Sequence, residues 1–190
     1  MKKVFYTIWE IVEVFLIAII AVAAIKYFLI QPFIVNGASM EPAFVDGDYL
    51  LVDEVSYRFS DPTRGDVVVF KAPTNKSIYY IKRVIGLPGE KLEITENKVH
   101  ITNSDYPQSF ELQESYLETA LRQNPFGNIM ITLKDNEYFV MGDNRSNSLD
   151  SRRWGPLDQS DIVGVVRTRL WPLSHISFFT KFEYSHELSQ

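Results

Sequence analysis

The chain has 190 residues, 46% of them hydrophobic and 14% aromatic, which suffices to bury one substantial core and favours one main domain over two. A net charge of −5, with no basic stripe, argues against a nucleic-acid binder. There is no cysteine, so disulfides, thiolate metal sites and cysteine nucleophiles are excluded while the compartment stays open, and His100, His175 and His186 are the only histidines.

The first element is apolar. After Lys2 and Lys3, a run from Val14 to Ile25 continues past Lys26 through Tyr27, Phe28, Leu29 and Ile30. Counted from Ile11 to Ile30 it is twenty residues, or roughly 30 Å at about 1.5 Å per residue, the thickness of a bilayer's hydrocarbon core. Glu10 and Lys26 fall near its ends, where side chains reach headgroups, and Glu13 intrudes on it. The reading is one retained transmembrane helix, with residues 1–31 as anchor. Lys2 and Lys3 keep the start cytoplasmic and place the remainder outside. Two alternatives stay open: a cleaved secretory signal, suggested by the small residues Ala21-Val22-Ala23, and a helix buried in a globular core.

From Gln31 onward short strands alternate with turns. Asp46-Gly47-Asp48 turns into Tyr49 to Val52, and Pro62 to Asp66 into Val67 to Phe70; Ile78 to Ile85 follows, then Gly86 to Gly89, then a hairpin of Lys91–Thr95 with Lys98–Thr102. Strand character returns at Ile129–Leu133, Glu137–Met141 and Ile162–Leu170. The expected fold is therefore mainly β and largely antiparallel. Residues 104–128 are polar and acidic, with a short helix expected over Glu111–Arg122, and read as an insertion. The domain proper spans 32–180, and 181–190 is a polar, loosely held tail.

Three stretches carry candidate chemistry. Gly37-Ala38-Ser39-Met40-Glu41-Pro42-Ala43-Phe44 presents a serine between bend-forming residues. A serine hydroxyl needs a base, and the histidines sit in unremarkable contexts. Lysine can replace histidine where burial keeps it neutral, and Lys82, in the strand Tyr80-Ile81-Lys82-Arg83-Val84, shares a face with Tyr80 and Val84 while Arg83 faces away. Alone, a loop serine is usually a polar loop residue and a strand lysine an exposed or edge position. Together they point to a dyad. The third stretch, Met141 to Arg152, is dense in Asp, Asn, Arg and Ser and reads as a solvated turn or as a network that orients other polar groups. A calcium loop fails there, because Arg145, Ser148 and Trp154 occupy the third, sixth and twelfth places from Asp143.

With these blocks in order, the chain resembles the type I signal peptidases, membrane-anchored serine/lysine endopeptidases that remove signal peptides, and most of all their Gram-positive branch. The resemblance spans nearly the whole chain and also takes in Arg64 to Phe70 and Tyr80 to Gly89. It implies a core of coiled antiparallel sheets, with about 92–136 as an inserted small subdomain. It implies Ser39 as nucleophile and Lys82 as general base, Ser148 as a hydroxyl bonded to the lysine amine, and Asp143, Asp150, Arg83 and Arg152 as braces. Met40, Pro42, Phe44 and Tyr80 are the candidates for the substrate pocket. Ala43-Phe44 departs from the family's usual Thr-Leu. Gly37 stands where some members carry an oxyanion serine, leaving the second donor open beside the Ser39 amide.

The resemblance further implies acyl transfer onto signal peptides with alanine-like residues one and three positions before the cut, no cofactor and no metal, and a monomer whose partners are pre-proteins and membrane lipid. The expected place is the cytoplasmic membrane, single-pass, with the catalytic domain extracytoplasmic. Phe33, Phe44, Trp154 and Trp171 are candidates to lie against lipid, although core packing suits most of them. Rival functions are a relative dedicated to one substrate or to pilus assembly, a self-cleaving peptidase of the SOS-repressor kind, and a plain anchored β binding module.

Overall fold

The structure, a computed structural model, describes residues 2–28, 30–179 and 186–188; the side chains of 2–5, 22–28, 30, 119–120 and 186–188 lie outside the description. Helix α1 (Lys2–Phe28) opens the chain. Its described side chains, Tyr6 to Ala21, are all exposed, and the expected span from Ile11 to Ile30 runs past them. Among the described residues, no helix is long and apolar enough to cross a membrane.

Two antiparallel sheets follow, as the β-branched and aromatic runs predict. The larger has the order β1 (Ile30–Ile34), β2 (Tyr49–Asp53), β11 (Ile162–Trp171), β3 (Val67–Ala72), β4 (Asn75–Gly86), β9 (Glu137–Met141) and β10 (Leu157–Asp158), with β12 (Ser177–Phe178) beside β11. The smaller has the order β13 (His186–Leu188), β7 (Phe110–Leu112), β6 (Lys98–Thr102), β5 (Lys91–Thr95) and β8 (Ile129–Thr132). The hairpin expected between β5 and β6 forms with Thr95 opposite Lys98, and its two loop residues, Glu96 and Asn97, both have positive φ, the conformation that matches strand twist.

Successive side chains of a strand point to opposite faces, and β3 shows what that does to an unbroken apolar run. Val67 and Val69 enter one cluster with Val35, Met40, Phe44, Leu50, Val52 and Val166. Val68 and Phe70 enter another with Val84, Tyr138, Val140 and Leu157. A third cluster joins the ends of β4 and β9, through Ile85, Phe139 and Met141, to Leu92, Ile94, Val99, Ile101, Phe110 and Leu112 of the smaller sheet. The larger sheet thus buries apolar side chains on both faces, and the smaller one packs against β4 and β9.

The short helix expected over Glu111–Arg122 does not form. Phe110 and Leu112 are buried with Glu111 between them half-exposed, an alternation of period two, and the segment pairs with β6. The only helical piece there is Thr119–Arg122, a single 3-10 turn. In the tail, His186–Leu188 pairs with β7.

Candidate active site

The serine stretch is pinned on both sides. Met40 and Phe44 are fully buried, and the Phe44 amide donates to the Met40 carbonyl at 2.9 Å. Upstream, the Gly37 amide donates to Asp46 Oδ1 at 2.7 Å, and the Val45 amide to Asp48 Oδ2 at 3.0 Å. The Asp46-Gly47-Asp48 turn therefore holds the segment that carries Ser39, and Arg169 closes the arrangement by pairing with Asp48 and donating to the Ala43 carbonyl. Ser39 is left half-buried between two anchored points.

Lys82 meets it from β4. Its Nζ lies 2.7 Å from Ser39 Oγ and 2.8 Å from the Ile81 carbonyl, to which it donates. The residue is 4% exposed, with the Tyr80 ring centroid 5.7 Å from Nζ. Burial pushes the amine down from its ordinary 10.5 to about 8, against the upward pull of the Asp150 and Asp143 carboxylates and with some help from Arg152. At that value about a tenth of the amine is neutral at pH 7, and at 2.7 Å its lone pair can accept the Ser39 proton.

Behind the pair, the Met141 to Arg152 stretch is a network of buried, mutually satisfied charges. Arg83 chelates Asp143 through Nε at 2.9 Å and Nη2 at 2.7 Å, and its Nη1 donates to the Gly65 carbonyl. Arg152 chelates Asp150 through Nε and Nη2, both at 2.8 Å. Asp150 also accepts from the Gly142 amide at 3.0 Å and caps the short helix α2 (Ser151–Trp154) through the Arg152 amide. Burial would raise the Asp150 carboxyl, but the Arg152 bonds and charge outweigh it and hold the group below the usual range.

Ser148 is buried close to Asp150 and helps lower it. The expected hydrogen bond from Lys82 to Ser148 is a correction: the amine's bonds go to Ser39 and Ile81, and the Ser148 hydroxyl makes no well-formed hydrogen bond.

Two residues outside the expected set belong to this network. Asn144 donates from its backbone to the Ser39 carbonyl at 3.1 Å and from its side chain to the Ala38 carbonyl at 3.2 Å. Glu114, from the segment that follows β7, chelates the fully buried Arg145. Asn144 lay inside a stretch singled out for its polarity. Nothing in the local sequence marks Glu114, because its partner is thirty-one residues away.

Beside Ser39 and Lys82 runs a cleft of about 210 Å³. Phe33, Ile34, Val35 and Asn36 line one side, and Tyr79, Tyr80, Ile81 and Lys82 the other. Four consecutive residues of β4 cannot all point to one face, so the cleft runs along the edge of that strand, with the end of β1 and the two residues after it opposite. The pairing agrees: β1 ends its sheet, and β4 meets β9 only from Arg83 onward, which leaves Tyr79 to Lys82 bonded to β3 alone. Leu149, half-exposed between buried Ser148 and Asp150, also lines the cleft.

A family model described as "Signal peptidase, peptidase S26" matches residues 8–171. The chain belongs to the signal peptidase family.

Among curated relatives, Signal peptidase I P of Bacillus subtilis subsp. natto is 36% identical over 169 residues, covering 87% of this chain and 90% of its own length. Signal peptidase IB of Staphylococcus aureus is 31% identical over 174 residues, covering 85% and 88%. Probable signal peptidase I-2 of Synechocystis is 32% identical over 179 residues, covering 90% and 77%. A crystal structure of a signal peptidase I from Enterococcus faecalis V583 is 32% identical and covers 56% of this chain and 97% of its own, with a TM-score of 0.47.

In this member of the signal peptidase family the cleft is not lined by most of the expected pocket residues. Tyr80 lines it, but Met40 and Phe44 are fully buried in the cluster beneath the larger sheet, and exposed Pro42 lies away from it. The reason is packing: the segment after Ser39 turns inward, and Phe44 packs on Phe179 with ring centroids 4.6 Å apart. Of the residues expected as candidates for lipid contact, Phe44 is packed inside, Trp154 is partly buried against the cluster of Val68 and Phe70, Phe33 lines the cleft, and Trp171 is exposed.

Proposed function

We propose that Ser39 and Lys82 carry the serine endopeptidase activity of this signal peptidase family member, through an acyl-enzyme on Ser39. The family's activity, cleavage of signal peptides from pre-proteins, is the activity of this chain. The observation that supports the dyad most is the 2.7 Å approach of a buried, acid-shifted lysine to a serine hydroxyl.

Neutral Lys82 takes the Ser39 proton as Oγ attacks the scissile carbonyl; the resulting ammonium then protonates the departing amine, and the C–N bond breaks. Lys82, neutral again, takes a proton from water, whose oxygen attacks the ester. Collapse of that intermediate releases the carboxyl end of the signal peptide, and the proton returns to Ser39.

The unpaired edges of β1 and β4 support an extended substrate that adds as a strand between them, with its side chains alternating into the cleft. The site's place at the outer face of the cytoplasmic membrane follows from the Ile11–Ile30 span read as a single-pass anchor. Nine residue steps separate Ile30 from Ser39, which limits their distance to roughly 32 Å at about 3.5 Å per residue. A monomer in contact with lipid completes this reading, and a single-substrate or pilus-assembly role draws no support from the relatives' names.

The test is cleavage of a pre-protein by the detergent-solubilised full chain. Ser39→Ala and Lys82→Ala are each expected to lose at least 1,000-fold in kcat, on the order of what removing one member of a catalytic triad costs. Parental cleavage by either variant overturns the dyad.

A further inference from the structure

The smaller sheet's segment touches the catalytic support at several places, through Tyr116 on Arg83, Asn124 and Phe126 on Arg152, and, most directly, Glu114 on Arg145. Glu114 lies two residues beyond β7, is 4% exposed, and accepts from Arg145 Nη1 at 2.8 Å, from Arg145 Nη2 and from the Tyr116 hydroxyl at 2.7 Å. Arg145 Nη2 also donates to the Tyr116 hydroxyl at 3.2 Å, and Nε donates to the Gly142 carbonyl at 2.9 Å. The Arg145 carbonyl in turn accepts from Arg152 at 2.7 Å. Gly142 packs directly on the Ser39 carbonyl, and Asn144 bonds it. Two residues along, the Tyr116 ring lies 4.3 Å from the guanidinium of Arg83, the chelator of Asp143.

A buried ion pair is a poor source of stability compared with apolar packing, and its best-attested use is to select one arrangement among several. Here the fork of Arg145 stands between a carboxylate from the inserted segment and the loop that grips the nucleophile. Without Glu114, the fork of the buried guanidinium keeps only the neutral Tyr116 hydroxyl, and its charge has to seek Asp143, which already acts on it, or solvent. Either movement draws the Gly142 carbonyl with it.

We infer that Glu114 is a positioning residue: through Arg145 it sets the height of residues 142–144, and so the place at which Ser39 Oγ meets Lys82 Nζ. The inference rests on the Ser39–Lys82 reading. It also gives the inserted segment a role in the reaction without any contact with substrate.

The experiment compares Glu114→Ala and Glu114→Gln with the parent as full-length, detergent-solubilised chains. Sites are counted at end point with a serine-directed acylating probe, so that misfolded protein drops out, and kcat and KM are measured on a pre-protein. Glu114→Ala is expected to lose at least about tenfold in kcat per counted site, with KM within about threefold, since a misplacement near 1 Å costs roughly a hundredfold. Glu114→Gln, which keeps the shape and one acceptor, is expected to fall between. A purely structural role predicts fewer counted sites with parental kcat at each, and that result overturns the inference. If Glu114→Ala yields no counted sites, Glu114→Gln decides: parental kcat per site overturns it, and a loss of threefold or more at unchanged KM supports it. A probe that labels Ser39→Ala as well as the parent overturns the dyad reading, and this inference with it.

Discussion

Phe33 and Tyr79 meet edge to face across the cleft, their ring centroids 5.4 Å apart and their planes at 64°. One ring comes from β1 and the other from the part of β4 that pairs with β3 alone, so the pair bridges the two edges between which the proposed substrate strand would lie. Tyr79 is three residues from Lys82, about 10 Å along an extended chain. In the proposed strand-like pose, the side chain three positions before the scissile bond is expected to meet these rings. The parent is expected to cleave a pre-protein with alanine there far faster than one with leucine. In Tyr79→Ala the ratio of the two kcat/KM values is expected to shrink by at least about tenfold, within the roughly 10- to 200-fold that one methylene commands in an apolar pocket. Equal ratios in the two proteins remove the aromatic pair from specificity.

Gly142 is expected to tolerate no side chain. A Cβ there stands 2.4 Å from the Ser39 carbonyl oxygen and 2.3 Å from Ser148 Oγ. Ser148 can rotate, but the carbonyl belongs to the backbone that carries the nucleophile. Gly142→Ala is expected to lose about 100-fold in kcat through displacement of Ser39, and on the order of 1–3 kcal/mol of stability through overpacking. Steady-state kinetics and denaturant unfolding read the two effects separately, and a kcat within threefold of the parent shows that Ser39 does not depend on this contact.

The sequence carried some of these relationships and not others, for physical reasons. Strands such as Val67–Ala72 and Ile162–Trp171 are legible because β-branched runs bounded by turn residues admit few other structures. Ser39 and Lys82 are legible as a pair because a lysine inside apolar strand sequence is a conflict that a function resolves. Which side of the serine loop faces inward was not legible: Met40 and Phe44 suit a pocket and a core equally, and only the contact with Phe179 decides. Strand edges were hidden for a related reason, since whether Tyr79 to Lys82 lacks a second neighbour depends on where β9 begins to pair. Glu114 and Arg145 find each other only after both sheets are assembled.

Asp150 and Arg152 are expected to shape the acid limb of stability. The Asp150 carboxyl titrates lower in the folded chain than its ordinary 3.8, because Arg152 outweighs the upward push of burial. Between the two values the unfolded state holds more protons, so acidification favours unfolding there. The stabilisation is complete above the ordinary aspartate value and is lost as pH falls through the folded one. Arg152→Met strands a buried carboxylate at a cost of about 3–5 kcal/mol and is expected to move acid unfolding to higher pH. Asp150→Asn is expected to flatten the limb. Urea unfolding over about pH 2 to 5 checks both, and an unmoved limb in both variants assigns the acid sensitivity elsewhere.

Lys82 is expected to give a slope of the same sign on the alkaline side. Its folded value of about 8 lies below the ordinary 10.5, chiefly through burial. Below about 8 the amine is protonated in both states, and the cost of the buried cation is felt in full. Between about 8 and 10.5 the unfolded state binds the extra proton, so stability rises with pH across that window, by a total on the order of 3 kcal/mol. Activity follows the same titration: kcat/KM is expected to climb about tenfold per pH unit below 8 and to level off above it, as the neutral amine becomes the dominant form. Lys82→Met, of similar length and uncharged, is expected to abolish cleavage, to be more stable than the parent at neutral pH by up to that amount, and to lose the alkaline rise. The same substitution thus removes the catalyst and relieves the fold, a trade expected where a buried charge is kept for its chemistry. If Lys82→Met matched the parent's stability at both neutral and alkaline pH, the amine would carry no buried charge to relieve, and the acid-shifted base on which the proposed mechanism depends would be lost.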